Sequence, residues 1–464
     1  MPDSAASASS RLLPARFLFN INFVLVCTLV SNTVGFLVAI LMARALGPDG
    51  RGVTALYQAA VGLGYAFLNL GIGSAAFYFV TRREITGRQA VEAGLTVSAL
   101  AASIAIVGVL LTTLLFESHL AGKDIPYGLA IVTVPAAIQL RIVEALLRAE
   151  GRFGAMNLLA LLLPLSMLCF IGGAEVIWGL TVPLAIWAWS LAHLPALVLG
   201  YGMLGRRYLP RTWAPLSLLI KAARFGSQSA VTNLIELAKY RLDIFLVLVL
   251  VNTAGVGIYT VSLSQTEGLW VVADSIAIVL LTNITAGDAA NAARLTPVVC
   301  RNTLLVTAIA ALVAALIAGF WIPVVFGRDY QDSVLPYLWL LPGTVALSGS
   351  KILAGYVFSR GRPIINAWIS LATLIASVPI VSLLLLLFGV AGAAVGTSIG
   401  YTLDLALTAI AYRWLSGRPI HEALIPRRSD AWIYIDGVRS VLRRLRRHEP
   451  VEASTLDEGA PHQA

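Results

Sequence analysis

Charged side chains are scarce in this sequence. They make up 12% of its 464 residues, whereas 58% of the residues are hydrophobic, and an ordinary soluble domain carries about 25% charged residues. A soluble domain of this length is therefore excluded. The net charge of +9 does not indicate nucleic-acid binding, because the charges punctuate apolar segments instead of clustering in one exposed region. That distribution is typical of membrane proteins.

Cysteine is almost absent, and so are the motifs of common enzymes. Cys27, Cys169 and Cys300 each stand alone within or at the edge of an apolar segment, with no CxxC or Cys/His cluster. Neither a disulfide framework nor a metal site is predicted. The sequence also lacks a Walker A motif, a DxD pair and a long outer loop. We therefore predict a protein that is not an enzyme and needs no cofactor.

Long apolar segments are what the sequence has instead. Segments of about 20 residues are long enough to cross a bilayer as helices. We predict an all-α polytopic membrane protein with about twelve spans, at residues 17–42, 53–80, 90–116, 126–147, 154–172, 176–203, 225–251, 256–284, 301–325, 334–358, 364–388 and 390–413. The last two are separated only by a short stretch around Gly389, where we expect a tight reversal.

Basic residues predict the orientation. They concentrate in alternate connections and in the terminal segments, and the four that fall in the opposite loops are Arg44, Arg51, Lys123 and Arg328. Because basic loops stay in the cytoplasm, both termini are predicted to be cytoplasmic, in a plasma or inner membrane.

The longest internal basic connection divides the spans six and six. Gly50 and Gly52 follow the first span, and Gly255 and Gly257 follow the seventh, at a constant offset of 205 residues. An even number of spans in each half predicts parallel repeats. The predicted regions are a cytoplasmic N-terminal tail at 1–16, an N-lobe at 17–203, a cytoplasmic linker with an interfacial helix at 204–224, a C-lobe at 225–413, and a cytoplasmic basic amphipathic helix with a disordered tail at 414–464.

Four ionisable residues stand where hydrocarbon is expected. Glu236, Lys239, Arg241 and Asp243 lead directly into the apolar run 244–251. Arg241 is eleven residues before Asn252, roughly 16 Å along a helix, near the middle of a bilayer core about 30 Å thick. Charges at that depth usually face a wet cavity and mark a substrate or ion path. The alternative is an ion pair that locks two helices together.

Several short motifs in order along the chain resemble one family. They are Leu41-Met-Ala-Arg-Ala-Leu-Gly-Pro-Asp-Gly-Arg-Gly52, Asn69-Leu-Gly-Ile-Gly-Ser74, Val325-Phe-Gly-Arg-Asp-Tyr330, Leu340-Leu-Pro-Gly343, Gly361-Arg-Pro363 and Phe388-Gly-Val-Ala-Gly-Ala-Ala-Val-Gly-Thr-Ser398. Over roughly residues 15–415 the chain resembles the polysaccharide flippases of the multidrug/oligosaccharidyl-lipid/polysaccharide exporter superfamily. The resemblance implies two six-helix lobes in a V around a central, often cationic cavity. It also implies alternating access that carries an undecaprenyl-pyrophosphate-linked oligosaccharide from the cytoplasmic to the outer leaflet.

Cations are the candidates for contact with a pyrophosphate. Arg241 and, after it, Lys239 are the midplane cations, and an arginine can bind phosphate with two hydrogen bonds. Arg44 and Arg51 either form an outer release patch or anchor a loop. Arg141 either lines the cytoplasmic entrance, together with Arg148, or forms a local ion pair with Glu144.

Interior acids have two interpretations. Glu236 and Asp243 are expected to keep the neighbouring cations charged and oriented. Glu267 and Asp274 share one face of the eighth span with Thr260. They either balance the cavity cations or carry a proton or sodium ion. Lys351 and Asp404, in the tenth and twelfth spans, are expected to form an ion pair between neighbouring helices.

Uncharged polar residues complete the candidate site. Gln58, Tyr65 and Asn69 lie near one face of the second span, where they either contact glycan or join helices through hydrogen bonds worth about 0.6 kcal/mol each.

Three functions remain open at the level of sequence. The leading one is a flippase for lipid-linked oligosaccharide in cell-surface polysaccharide synthesis, of the lipopolysaccharide or O-antigen type. The second is a proton- or sodium-coupled antiporter of drugs or organic cations, and the third is a membrane glycan polymerase or ligase. The expected partners of the leading function are the lipid-linked substrate, membrane lipids and a polysaccharide polymerase or glycosyltransferases. No nucleic acid is expected, and a monomer is sufficient.

Overall fold

The computed structural model describes residues 15–120, 126–285 and 289–425. Most of the predicted N-terminal tail and the predicted amphipathic helix near the C-terminus lie outside the described residues. Within them the chain is helical and contains no β-strand. The helices are α1 (Ala15–Leu68), α2 (Ile72–Thr81), α3 (Gly87–Leu120), α4 (Ala130–Ala149), α5 (Phe153–Trp178), α6 (Val182–Leu191), α7 (His193–Leu204), α8 (Leu216–Leu250), α9 (Thr253–Thr285), α10 (Ala289–Phe326), α11 (Val334–Ser359), α12 (Pro363–Ser416) and α13 (His421–Leu424).

Two of these helices are hairpins. Helix α12 contains the predicted spans 364–388 and 390–413, whereas α1 contains 17–42 and only the first part of 53–80, which breaks after Leu68 and continues as α2. In α1 the backbone turns at Gly47, with φ 65° and ψ 179°. In α12 it turns at Gly389, with φ 62° and ψ −146°, a conformation that favours glycine because it has no Cβ. A Cβ built on Gly400 would lie 3.2 Å from Cβ of Ser377, so the two halves of α12 run back along each other. The predicted reversal at Gly389 is confirmed.

Seven helical segments of the described chain have the length and hydropathy of a membrane span. The first and the last of them contain these two hairpins. Helix α8 is not among the seven, because four ionisable residues interrupt its apolar sequence. The chain is therefore an all-α, multi-pass membrane protein, and its least apolar helices are the ones to search for a site.

The helices form two lobes with separate cores. Helices α2, α3, α4 and α7 pack around Ile138, Ile142 and Leu146 in the N-lobe. Helices α10, α11 and α12 pack around Tyr356 and Tyr412 in the C-lobe. Helix α1 belongs to the N-lobe, where it packs against α5, and its other side packs against α8 and α9 of the C-lobe. The linker has a 3-10 turn at Arg206–Tyr208, and α8 begins at Leu216 after Pro215. The segment predicted as an interfacial helix is thus the start of α8, since no proline interrupts the helix after Pro215.

The two halves meet at one end through a symmetric pair of glycine contacts. A Cβ built on Gly52 would overlap the carbonyl oxygen of Thr253, and one built on Gly257 would overlap that of Pro48. Thr253 and Gly257 follow Pro48 and Gly52 by 205 residues each. The same contact is therefore made twice, as at an interface between subunits related by a two-fold axis. We call this end of the molecule, which also holds Gly389, the hairpin end. The opposite end, with the arginine-rich connections, is the basic end.

Candidate substrate site between the lobes

A cavity of about 650 Å³ lies between α1 of the N-lobe and α8 and α9 of the C-lobe. Its volume falls within the range of about 300–1,000 Å³ typical of small-molecule sites. Met167 of α5 and Trp189 of α6 also line it. We call it the central cavity; its polar lining residues are Ser31, Asn32, Thr33, Arg51, Gln58, Arg241, Thr260, Ser264 and Glu267.

Three charged residues line the central cavity within the described part of the chain. Nη1 of Arg241 lies 2.9 Å from Oε1 of Glu267, and the two side chains are 32% and 30% exposed. Arg51 is buried, and its Nη1 donates to Oε1 of Gln58 at 3.4 Å. The described lining thus carries one net positive charge, and water still reaches the ion pair. Arg51 had been expected at the outer end of the first hairpin, in a release patch or as a loop anchor, and the structure places its buried side chain in the lining of the central cavity.

Helix α8 presents its charges in opposite directions. Successive helical residues are about 100° apart, so Lys239 and Asp243 share a face and Arg241 lies on the other side. Nζ of Lys239 lies 3.0 Å from Oδ1 of Asp404, with both side chains at most 6% exposed. It also donates to Oγ of Ser370 at 3.3 Å. The prediction of Lys239 as a cavity cation is wrong: it is buried between α8 and α12.

The two acids of the same stretch do not orient the cations. Asp243 accepts hydrogen bonds from the Tyr259 hydroxyl and from Thr397 Oγ1 inside the C-lobe. Glu236 is exposed and does not line the central cavity. Within the described residues, neither carboxylate forms an ion pair with Lys239 or Arg241, so Glu267 takes the predicted orienting role.

The predicted pair of Lys351 and Asp404 is not formed. Asp404 pairs with Lys239 and accepts a hydrogen bond from Ser350 Oγ at 2.6 Å. Nζ of Lys351 lies 4.9 Å from the ring centre of Trp270. Ser350 of α11 faces Asp404 of α12, and its neighbour Lys351 points about 100° away. The side chain of Asp274, further along α9, lies outside the described residues.

Arg44 anchors a helix end and does not line the cavity. Its Nε donates to the carbonyl oxygen of Val325 at 2.8 Å, and its Nη2 donates to that of Val324 at 2.5 Å. Both carbonyls belong to the last turn of α10, whose terminal C=O groups have no partner within the helix. Of the two predicted roles for Arg44, the structure favours loop anchoring.

A second cavity of about 550 Å³ lies closer to the basic end. We call it the inner pocket; it is lined by Tyr65, Ala66, Asn69, Gly73, Ser74, Phe77, Tyr78, Arg141, Glu144, Ala145, Arg148, Phe225, Asn233 and Leu237. The predicted local ion pair of Arg141 is formed, because its Nη1 lies 2.9 Å from Oε2 of Glu144, and Arg141 also lines this pocket. Of the predicted glycan contacts, Tyr65 and Asn69 line the inner pocket, and Gln58 lines the central cavity.

One set of polar residues in the central cavity was missed from the sequence. Ser31-Asn32-Thr33, in the first half of α1, lines the cavity opposite α8 and α9. The signal was available, because three consecutive polar residues interrupt an otherwise apolar span. Thr260, by contrast, was placed on the same face as Glu267, and both line the cavity together with Ser264.

Comparison with protein-family models gives no match, and comparison with curated protein sequences gives none either. Solved structures do match. The chain is similar to the lipid II flippase MurJ in an inward closed conformation, at 12% identity and a TM-score of 0.70, over 92% of this chain and 93% of that one. It is also similar to an inward-facing multidrug resistance MATE family transporter of the MOP superfamily, at 15% identity and a TM-score of 0.63, over 83% and 94%.

A third similar structure is a MOP superfamily transporter from Pyrococcus furiosus, at 13% identity and a TM-score of 0.54, over 86% of this chain and 95% of that one. At such low identity these likenesses concern the fold. The chain therefore has the fold of these solved transporters, with two lobes on either side of the central cavity.

Proposed function

We propose that this protein is a flippase. In this proposal it moves a polyprenyl-pyrophosphate-linked oligosaccharide from the cytoplasmic to the outer leaflet of the plasma membrane by alternating access, in the synthesis of a cell-surface polysaccharide such as an O-antigen. Both termini lie in the cytoplasm, and the protein acts as a transporter and not as an enzyme. The observation that carries the proposal is the presence of Arg51 and Arg241 in one cavity between the lobes, opposed by Glu267.

Guanidinium groups suit a pyrophosphate. Arginine remains charged when it is buried and matches phosphate oxygens with two parallel hydrogen bonds. Arg241 is held by Glu267 at 2.9 Å, which orients its guanidinium without neutralising Arg51. The hydroxyl and amide groups of Ser31, Asn32 and Gln58 add uncharged hydrogen-bonding partners. Such a lining accepts an anionic headgroup and still permits its release.

The test is transport in proteoliposomes. Purified protein is reconstituted with undecaprenyl-pyrophosphoryl-N-acetylglucosamine, and the exposure of the sugar on each side of the bilayer is followed. Replacing both Arg51 and Arg241 with glutamine is expected to lower the transport rate by about 100-fold, because each charge-assisted hydrogen bond contributes about 1.5–3 kcal/mol. Arg44→Gln is the matched control, since Arg44 lies at the hairpin end outside the cavity. Unchanged transport by the double variant would refute the cationic-cavity mechanism.

A cation antiporter is the second candidate, and Glu267 is the observation that favours it. Its carboxylate lines the central cavity, where it would attract an organic cation, proton or sodium ion. The pairing with Arg241 argues against this function, because a paired carboxylate is less available to a cationic cargo. Drug efflux driven by a proton or sodium gradient, and abolished in Glu267→Gln, would establish the antiporter. Extension of a lipid-linked glycan by the purified protein would instead establish a polymerase or ligase.

The partners of the proposed flippase follow from its cargo. They are the lipid-linked oligosaccharide itself, the membrane lipids that hold the polyprenyl tail, and the glycosyltransferases or polymerase that act before and after transport. The proposed function involves no nucleic acid. One chain supplies both lobes, so a monomer is sufficient.

A further inference from the structure

The inner pocket has a different chemistry from the central cavity. Rings of Tyr65, Phe77, Tyr78 and Phe225 contribute to its wall. Tyr78 is covered on both faces, because Phe225 stacks on it with ring centres 4.3 Å apart and Arg82 lies over its ring at 4.7 Å. The accessible aromatic surface is that of Phe77 and Phe225, which are 36% and 41% exposed. The guanidinium of Arg148 lies 5.9 Å from the ring centre of Phe77. This wall presents flat apolar faces beside polar groups.

An unpaired amide oxygen lies in the wall of the inner pocket. Asn69 is 8% exposed, and its Oδ1 has no hydrogen-bond partner within the described part of the chain. A buried acceptor without a donor destabilises a protein by about 1–3 kcal/mol. The oxygen is covered by protein atoms, so a ligand hydroxyl or amide hydrogen satisfies it when the Asn69 side chain, which lines the pocket, turns toward the ligand.

The charges around this acceptor nearly balance. Arg141 pairs with Glu144 at 2.9 Å, and its side chain is 59% exposed, so water reaches both groups. Together they offer hydrogen-bond donors and acceptors at one place. Hydroxyl groups, which are donors and acceptors at once, match this pattern better than a phosphate does.

We propose that the inner pocket binds the sugar next to the pyrophosphate while the central cavity holds the pyrophosphate itself. Rings of Phe77 and Phe225 support the apolar face of the sugar ring, Asn69 Oδ1 accepts from a hydroxyl, and Arg141 and Glu144 contact further hydroxyls. This inference rests on the proposed function. It means that the first sugar is recognised by residues of the inner pocket, and the pyrophosphate by Arg51 and Arg241 of the central cavity.

The positions of the two cavities along α8 fit such a cargo. Leu237 lines both of them, and its Cδ2 lies 3.8 Å from a Cβ built on Gly62 of α1. Asn233 of the inner pocket and Arg241 of the central cavity are eight residues apart, about 12 Å along the helix. A pyrophosphate joined to a sugar is long enough to place one group in each cavity, with Leu237 between them.

Two probes separate this inference from the proposed function. They are undecaprenyl pyrophosphate and undecaprenyl-pyrophosphoryl-N-acetylglucosamine, which differ by one sugar, and their binding to the purified full-length protein in detergent is measured. The unaltered protein is expected to bind the sugar-bearing probe more tightly. Asn69→Leu is expected to weaken binding of the sugar-bearing probe about fivefold, as for the loss of one hydrogen bond. It should leave the affinity for undecaprenyl pyrophosphate unchanged. Arg241→Gln is expected to lower the affinity for both probes by the same factor.

Controls distinguish a lost contact from a disturbed fold. Asn157→Leu removes another buried asparagine with an unpaired amide atom, on α5 and outside both cavities, and should change neither affinity. Arg141→Gln alters an exposed side chain, so it tests the pocket even if Asn69→Leu unfolds, and it too should weaken only the sugar-bearing probe. The inference is overturned if the unaltered protein binds the two probes with equal affinity, or if Asn69→Leu and Arg141→Gln lower the affinity for both probes equally. Neither result contradicts the proposed function. Failure of both probes to bind overturns the proposed function together with the inference.

Discussion

Lys239 and Asp404 form an ion pair of 3.0 Å inside the C-lobe, although Lys239 is only two residues from the cavity-lining Arg241. The pair joins α8 to α12, and Ser350 and Ser370 complete its hydrogen bonds. Helix α8 therefore has one charged face that holds the C-lobe together and another that faces the central cavity. The two faces should respond differently to mutation.

We predict that Lys239→Met strongly destabilises the protein. It leaves the Asp404 carboxylate buried without its cation, and breaking one partner of a buried pair costs about 3–5 kcal/mol. Thermal unfolding of the purified protein in detergent measures the loss. The double variant Lys239→Met with Asp404→Leu should recover much of it, because no unpaired charge remains.

Lys221→Met is the matched control for that comparison. Lys221 pairs with Glu84 at 2.8 Å, but the two side chains are 48% and 35% exposed, and exposed pairs contribute about 0–1 kcal/mol. Equal destabilisation by Lys239→Met and Lys221→Met would show that the buried pair does not stabilise the C-lobe.

Glu267→Gln discriminates between the two proposed cargo types. It removes the described acidic partner of Arg241 and raises the net charge of the described cavity lining by one. Binding of undecaprenyl pyrophosphate is expected to tighten by about tenfold or more, because the repulsion between the Glu267 carboxylate and the anion is removed. Tenfold corresponds to about 1.4 kcal/mol, and two unit charges about 4 Å apart interact by about 1 kcal/mol in water and about 4 kcal/mol near a protein surface. Weaker binding of this anion, with binding of an organic cation abolished as well, would favour the antiporter.

Gly257→Ala tests the contact between the hairpins. The added methyl group would overlap the carbonyl oxygen of Pro48, and backbone cannot move aside as a side chain does. We expect the hairpins to separate, at a cost of about 1–3 kcal/mol. In a variant without the three native cysteines, Ser264→Cys in the central cavity should then react faster with a water-soluble maleimide.

Gly35→Ala is the control for the hairpin experiment. Gly35 also lines the central cavity, and no atom lies within 4 Å of a Cβ built on it. Alanine in the middle of a helix stabilises it by about 0.5–1 kcal/mol relative to glycine. Equal labelling rates for the Gly35 and Gly257 variants would mean that the hairpin contact does not close the cavity.

Arg44→Met should destabilise the protein without affecting headgroup binding. The variant leaves the carbonyls of Val324 and Val325 without their donor, and the expected cost is about 1–3 kcal/mol. Thermal unfolding and the affinity for undecaprenyl pyrophosphate are measured on the same preparation. A lower affinity at unchanged stability would place Arg44 in the substrate path.

Much of the fold could be predicted because each membrane helix is a local pattern. A bilayer demands about 20 apolar residues for each span, so the spans are visible one at a time, and the reversal at Gly389 follows from a single glycine. The glycines at 52 and 257 indicated a repeat. Their contact with the opposite backbone was not predictable, because it joins residues about 200 positions apart.

The site was predicted in part. Arg241, Arg51, Gln58 and Glu267 line the central cavity. Arg241, Gln58 and Glu267 had been selected because a polar or charged residue is costly in an apolar span, and Arg51 because it is a basic residue in a predicted outer loop. Lys239 is also a charged residue in an apolar span, but it pairs with Asp404 inside the C-lobe instead of lining the central cavity. The position of a charged residue near the middle of a predicted span indicates that the charge needs a partner, but it does not identify the partner.

The sequence by itself determined that this chain crosses a membrane many times and that residues 236–243 carry charges which must be satisfied inside it. The tertiary structure alone decided how those charges are divided. Successive residues of α8 point about 100° apart, and α9 and α12 pack on different sides of that helix. Arg241 therefore meets Glu267 at the central cavity, and Lys239 meets Asp404 in the interior of the C-lobe.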